Sequence, residues 1–273
     1  LTRLGEPGMV DYTRQYESLM NLLNLKTHLV AVKYFESFDE DVEWDLVELG
    51  FYRPKNPINI CQCVGLSRHH SRSVFITGKD MACKIGALAM GMHPFDDEMR
   101  KGEIAIQDGV RSNPAMCRKL FETLPRIEHG RVVAVACAPL NKAGLNMDQV
   151  IIYGDPLQIL KVIQAHLWST GARIDFSTCA KYGICVEAMA NGYISKRLCL
   201  GFPCRGERTS SVVQDDEMFV AFPIEWLDRI VEGLEKTKHL LPTPMPFGGV
   251  DQLPHYLPDY YLTEQAKAVR DKV

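Results

Sequence analysis

Nine cysteines in a chain of 273 residues are the side chains best suited to chemistry: Cys61, Cys63, Cys83, Cys117, Cys137, Cys179, Cys185, Cys199 and Cys204. An odd number cannot all pair within one chain, and cysteines this numerous in a large chain point to metal, redox chemistry or burial rather than to a disulfide framework. Four stand out by position. Cys61 opens a helical pattern after the turn at Pro57, and Cys83 opens another after the polar run Thr77–Asp80. Cys185 opens a helix in the second half, and Cys204 follows a strand-like run and precedes Arg205-Gly206-Glu207-Arg208. The start of a helix presents unpaired N–H groups and the positive end of the macrodipole, which favour thiolate over thiol. Thiolate is the form that binds metal, and such N–H groups offset the negative charge of a four-thiolate centre.

The neighbours suit a crowded site. Cys83, Ala87 and Gly91 share one small helical face, and Cys185, Ala188 and Gly192 make a less regular one. Small faces let two helices approach closely. Spacing alone leaves other readings open, because free cysteine often serves as a small buried hydrophobe. Neither a ferredoxin-type C-x2-C-x2-C run nor a paired C-x2-C zinc pattern is present. Cys63, Cys117, Cys137 and Cys199 fall within helix or strand patterns and read as core.

Arg205 and Arg208, beside Cys204, are candidates to hold a substrate carboxylate, with a surface ion pair to Glu207 as the plain alternative. Arg68, His69, His70 and Arg72 read as a solvated helix cap, with an anion site as the alternative. Gly154-Asp155-Pro156 reads as a turn leading into a helix with proline in its first position. The chain has no G-x-G-x-x-G, P-loop, Gly-x-Ser-x-Gly or His-Glu-x-x-His pattern, so nucleotide-dependent and serine-hydrolase chemistries are not indicated.

The elements that must position these residues read as α/β (α+β): two pseudo-repeated α/β halves packed into one globule, residues 1–126 and 127–240. In the first half, strand Val30–Phe35 is followed by helix Cys61–His70, strand Ser73–Thr77, helix Met81–Met92, strand Glu103–Gln107 and helix Pro114–Leu124. The second half runs strand Val132–Ala136, helix Pro156–Leu167, strand Arg173–Ser177 and helix Cys185–Asn191. A strand at Arg197–Phe202 or Met218–Phe222 and a helix at Glu225–Lys236 complete it. A helix over Asp11–Asn24 opens the chain, and Glu36 to Glu48 reads as an acidic solvated stretch. Gly91 and Gly192 each read as ending a helix. Residues 241–273 form an arm rich in proline and aromatics, closed by a short polar helix over Thr263–Lys272. The arm suggests a surface-lying segment and a homodimer.

Hydrophobic residues at 46% and charged residues at 24% give an ordinary globular balance. A net charge of -3 and a pI near 6.3 give no electrostatic signal for nucleic acid or an anionic membrane. No apolar run is long enough to span a bilayer, and the first residues lack the apolar core of a signal peptide, so a cytoplasmic location is expected.

The runs FYRPKNPINICQCVGLSR, TGKDMACKIGALAMGM, CAPLNKAGLNMDQVIIYGDPLQILKVIQA, CLGFPCRGER and FPIEWLDRIVEGLE, in this order, resemble the domain-of-unknown-function family number 169. The resemblance covers roughly Leu19 to Lys236. That family is largely uncharacterised and occurs mainly in anaerobic bacteria and archaea. Its C-Q block falls on Cys61-Gln62, its C-x-x-G-A block on Cys83, Gly86 and Ala87, and its C-x-G-x-R block on Cys204, Gly206 and Arg208. A cysteine opening a second-half helix falls on Cys185. The chain departs from the pattern at Lys84-Ile85, where the family often has Pro-Gly. With the resemblance, a shared metal site of Cys61, Cys83, Cys185 and Cys204 is expected. A [4Fe–4S] cluster is preferred over zinc because the cysteines are spread through a well-cored fold. The expected role is redox or hydro-lyase-type chemistry of anaerobic metabolism, with a small-molecule substrate or an electron-transfer partner. The alternatives are a metal-free thiol enzyme acting on a small acidic substrate and a non-catalytic ligand-binding module.

Overall fold

The computed structural model describes residues 10–106, 109–239 and 259–270. Six strands form one sheet: β1 (Val30–Phe35), β2 (Val74–Thr77), β3 (Ala134–Pro139), β4 (Gln149–Gly154), β5 (Cys199–Gly201) and β6 (Met218–Pro223), in the order β2-β3-β1-β4-β6-β5. Every pairing within it is antiparallel; Val32, for example, faces Cys137 on β3 and Gln149 on β4. β3, from the second half of the sequence, lies between β2 and β1, so both halves contribute to one sheet.

The strands are apolar on both faces, as expected for a sheet covered on both sides. Alternate residues of each strand enter different cores. Val32, Tyr34, Cys137, Ile151, Tyr153 and Phe219 point to one side. Ala31, Phe35, Ala136, Val150, Ile152 and Phe222 point to the other.

Helices α1 (Thr13–Leu23), α2 (Glu40–Glu48), α8 (Pro156–Thr170) and α11 (Leu227–Thr237) pack on the second side. The ends of α8 follow its sequence closely. The Asp155 carboxylate accepts the Gln158 N–H at 2.8 Å, Pro156 takes the first position, and Gly171 closes the helix at φ 64°. α11 lies so close to α8 that a Cβ on Gly233 would stand 2.2 Å from the Ala165 carbonyl oxygen.

The first side is built of shorter pieces: α3 (Ile60–His70), α4 (Lys84–Ala89), α5 (Asp97–Lys101), α6 (Glu103–Ile106), α7 (Pro114–Thr123), a π-helix (Ile184–Ala190) continuing into α9 (Asn191–Ser195), and α10 (Arg205–Ser210). In the π-helix, the Ala188 carbonyl accepts from Gln149 Nε2 at 2.9 Å and the Met189 carbonyl from the Tyr34 hydroxyl at 3.1 Å. Side chains from the sheet thus satisfy backbone groups that regular helical bonding would otherwise take.

Several sequence expectations need correction. Glu103–Ile106 is helical rather than extended, because Gly102 in the left-handed conformation ends α5 and the next turn continues against α7; Gln107 lies outside the described residues. Arg173–Ser177 is irregular and mostly exposed, and its alternating pattern finds no strand to pair with. Glu40–Glu48 is a helix capped by Asp39, and β4 is a strand that the alternation of residues does not predict. Gly91 ends its helix at φ 75°, but Gly192 lies inside α9, where a Cβ would stand 1.9 Å from Gln149 Nε2. Its lack of a side chain makes room for the group that bonds the π-helix. Cys63, Cys117, Cys137 and Cys199 are buried in the core, as their patterns implied.

The chain divides into two compact units, residues 1–238 and 239–273. Within the second, a short turn at Asp259–Tyr261 precedes α12 (Glu264–Arg270), whose Ala266 N–H bonds Thr263 Oγ1. The prolines Pro242 to Pro258 and the aromatics Phe247 and Tyr256 lie outside the described residues. Among the described residues no helix is long and apolar enough to cross a membrane.

Candidate metal centre

The four cysteines singled out by position are brought together on the first side of the sheet. The Cys61 thiol donates to the Cys204 sulfur, and Cys185 lies near both Cys204 and Cys83. A Cβ on Gly206 would make ordinary contact with the sulfurs of Cys204 and Cys61, each at 3.7 Å, so both sulfurs lie beside this one glycine.

Each cysteine stands at a helix start. Cys61 is in the first turn of α3, and Cys185 is in the first turn of the π-helix. Cys83 caps α4, accepting the Gly86 N–H at 3.4 Å, and Cys204 caps α10. The positive ends of four helix starts therefore lie beside these thiols.

Glu207 holds two of these segments together. It is fully buried. One carboxylate oxygen accepts the Tyr153 hydroxyl at 2.7 Å; the other accepts the Ile184 N–H at 3.0 Å and the Cys204 N–H at 2.9 Å. The π-helix carrying Cys185 and the helix carrying Cys204 are thus fixed to one carboxyl group. Gly183 must be glycine at this junction, because a Cβ would stand 1.9 Å from Glu207 Oε2. α10 is also tied to α3, through the Ser211 hydroxyl donating to the Cys61 carbonyl.

Charge is unevenly shared in this pocket. The hydrogen bond from Cys61 holds the Cys204 thiol well below its ordinary value, helped by N–H groups of Glu207 and Gly183 and opposed by burial. The same bond, with burial, pushes Cys61 well up. Burial raises Cys185, and burial followed by the nearby Cys204 charge raises Glu207.

Glu207, Gly183 and Tyr153 were not found in the sequence. A signal existed, since Cys204-x-x-Glu207 has capping-box spacing with cysteine in the place of serine or threonine. The arginines fare differently from expectation. Arg208 bonds Asp215 at 2.6 Å rather than Glu207, and Arg205 is exposed. Arg68 is no solvated cap: it is 1% exposed, pairs with Glu217 and lies 4.2 Å over the Tyr153 ring.

The donor set can be tested against the groups it would hold. Among the described residues no three Cys, His, Asp or Glu side chains converge as ligands to a single metal ion. A zinc ion, with Zn–S bonds of about 2.3 Å, needs such convergence. An iron–sulfur cluster does not, because its thiolates bind different irons and stand further apart. The all-sulfur donor set and its place at helix starts are of the type an iron–sulfur cluster takes.

A mixed α/β fold with four thiols gathered between short helices defines the class of protein. The chain belongs to the DUF169 family, described as "Uncharacterised ArCR", whose model matches residues 18–233. It is similar to the uncharacterized protein MJ0308 of Methanocaldococcus jannaschii, with 28% identity over 220 residues, covering 80% of this chain and 91% of the relative. No solved structure matches it.

Proposed function

We propose that Cys61, Cys83, Cys185 and Cys204 hold a [4Fe–4S] cluster, and that the protein serves redox or hydro-lyase-type chemistry of anaerobic metabolism. The observation that carries this reading is the proximity of four cysteines from distant parts of the chain, Cys61 and Cys185 buried and Cys83 and Cys204 half-buried, each at the start of a helix. When bound, such a cluster supplies one-electron transfer, or Lewis acidity at an iron left without a cysteine ligand.

The chain's own residues would do the rest. Helix N–H groups offset the charge of the thiolates and orient the sulfurs. Glu207 keeps the Cys185 and Cys204 segments in register, and Tyr153 fixes Glu207 from the sheet. Gly86 lies beside Cys83, and Gly206 beside Cys204 and Cys61.

Iron and acid-labile sulfide on anaerobically purified protein test the reading. About four of each per chain are expected, with loss in Cys83→Ala. Folded protein that takes up neither after anaerobic reconstitution overturns it.

A second reading rests on the state of Cys204. Its thiol, held low by Cys61, has the character of a nucleophile, and the protein would then be a metal-free thiol enzyme. Rapid alkylation of Cys204 by iodoacetamide at neutral pH, abolished in Cys204→Ser and accompanied by no iron uptake, would favour this reading.

A further inference from the structure

Two of the four sulfurs are in direct contact. The Cys61 thiol donates to the Cys204 sulfur, and a Cβ on Gly206 would stand 3.7 Å from each of them. The helices that carry the pair are clamped on either side of it. Before Cys61, Asn59 Nδ2 donates to Ser210 Oγ at 3.4 Å. After it, a Cβ on Gly65 would stand 3.0 Å from Ser211 Cα, and the Ser211 hydroxyl donates to the Cys61 carbonyl. The sulfurs start from contact on helices already packed together, so closing them to a disulfide length of about 2.05 Å asks little of the backbone.

Access differs between the two. Cys204 is half-buried, whereas Cys61 is 6% exposed. A small oxidant therefore meets Cys204 first, with a second thiol already bonded to it. The remaining sulfurs are enclosed or engaged elsewhere. Cys63, Cys117, Cys137 and Cys185 are buried, and the buried Cys199 thiol donates to the Arg197 carbonyl at 3.6 Å. Cys179 and Cys83 are half-buried. The Cys179 thiol donates to the Tyr182 carbonyl at 3.6 Å, and Cys83 accepts the Gly86 N–H at 3.4 Å.

We propose that Cys204 and Cys61, while no metal holds their sulfurs, form a peroxide-reactive pair that closes into a reversible disulfide. The Cys204 sulfur attacks one oxygen of hydrogen peroxide. The O–O bond breaks, Cys204 becomes a sulfenic acid, and the departing hydroxide leaves as water with the proton from the Cys204 thiol. The Cys61 sulfur then attacks the Cys204 sulfur: the S–S bond forms, the S–O bond breaks, and the second hydroxide takes the Cys61 proton as water. The two thiols together lose two electrons, and one peroxide is reduced to two waters. The bond shields both sulfurs from the irreversible steps to sulfinic and sulfonic acid. This pair belongs to the site proposed for the cluster, but the step needs no cluster, so the two readings can fail separately.

Hydrogen peroxide in small excess, added at neutral pH to the reduced, chelator-treated full chain, tests the proposal by thiol counting and peptide mapping. Loss of two of the nine thiols is expected, with Cys61 joined to Cys204 within one chain and both restored by dithiothreitol. Cys204 should react at least about tenfold faster than Cys63, Cys117 and Cys137. The urea midpoint should rise on oxidation, because the bond closes a long loop. In Cys61→Ser, dimedone should trap Cys204 as the sulfenic acid, whereas Cys179→Ser should form the bond as the parent chain does. A bond joining other cysteines or two chains, or Cys204 carried to sulfinic acid with Cys61 still free, overturns the proposal. The bond in a chain that takes up no iron once reduced would support this pair and sink the cluster. Iron uptake by a chain that never forms the bond would do the opposite.

Discussion

The two layers that cover the sheet solve different problems. On one side, α8 and α11 are long and regular, α8 is capped by Asp155 and Gly171, and the two pack at close range through Gly233. On the other, short helices and a π-helix surround four thiols and a buried carboxyl group. The first layer gains stability from apolar packing. The second accepts broken helices and buried polar groups, features that cost stability unless each polar group finds a partner. Both layers bury a large apolar core, and the cysteine side alone also holds the four thiols and the buried carboxyl group.

This contrast can be broken in order of expected effect. Glu207→Ala should act most strongly, since it strands the Tyr153 hydroxyl and the N–H groups of Ile184 and Cys204. A loss of about 4 kcal/mol in unfolding free energy is expected, together with loss of iron uptake by the protein that remains folded. A urea titration and an iron assay on the same sample read both, and a mild effect on each would mean that the two cysteine segments are held by something else.

Gly233→Ala should come next and sharpen the contrast. Its methyl group would force α11 away from the Ala165 carbonyl, costing about 2 kcal/mol. Iron content per folded chain should not change. If it does, the two layers are coupled through the sheet more tightly than their separate cores imply.

Gln149→Leu should be milder. It removes the donor to the Ala188 carbonyl and the acceptor of the Tyr34 hydroxyl, at a cost of about 1–2 kcal/mol. Faster hydrogen exchange confined to residues 184–195 is the expected signature, and uniform acceleration across the sheet would contradict it.

The smallest effect is a pH dependence in the packing layer. His166 stacks on Trp226 at 4.7 Å, and burial, followed by the Arg229 charge, lowers its pKa. The unfolded chain therefore takes up this proton more readily. His166 should favour folding above the unfolded value of about 6.5 and lose that advantage as pH falls through it, down to the native value. The fall in urea midpoint between neutral and mildly acidic pH should be shallower in His166→Gln. An unchanged slope would mean that the stacked ring remains hydrated.

The same division explains what the sequence made legible. Asp155-Pro156 and Gly171 bracket α8, and helices at Thr13–Leu23 and Leu227–Thr237 follow from periodicity, because local signals and packing agree there. The strand expected at Arg173–Ser177 failed because alternation is only half of a strand; the other half is a neighbour to pair with. β4 was missed because its residues are buried on both faces and so lack alternation. At the site, position at helix starts was enough to find four cysteines. The carboxyl group that unites two of their segments was not found, since Glu207 acts on Ile184 and Tyr153, contacts that no local spacing encodes.

The place of β3 between β2 and β1 also orders events in time. During synthesis Cys61 and Cys83 emerge early, but the strand that joins β2 to β1 comes later, and Cys204 later still. A nascent chain therefore carries its first thiols unsheltered until most of the sheet has been made. Such non-local pairing folds slowly, and the pocket closes only when the last strands arrive. Whatever these thiols receive must reach them at the end of the chain's assembly, and oxidants can reach them before then.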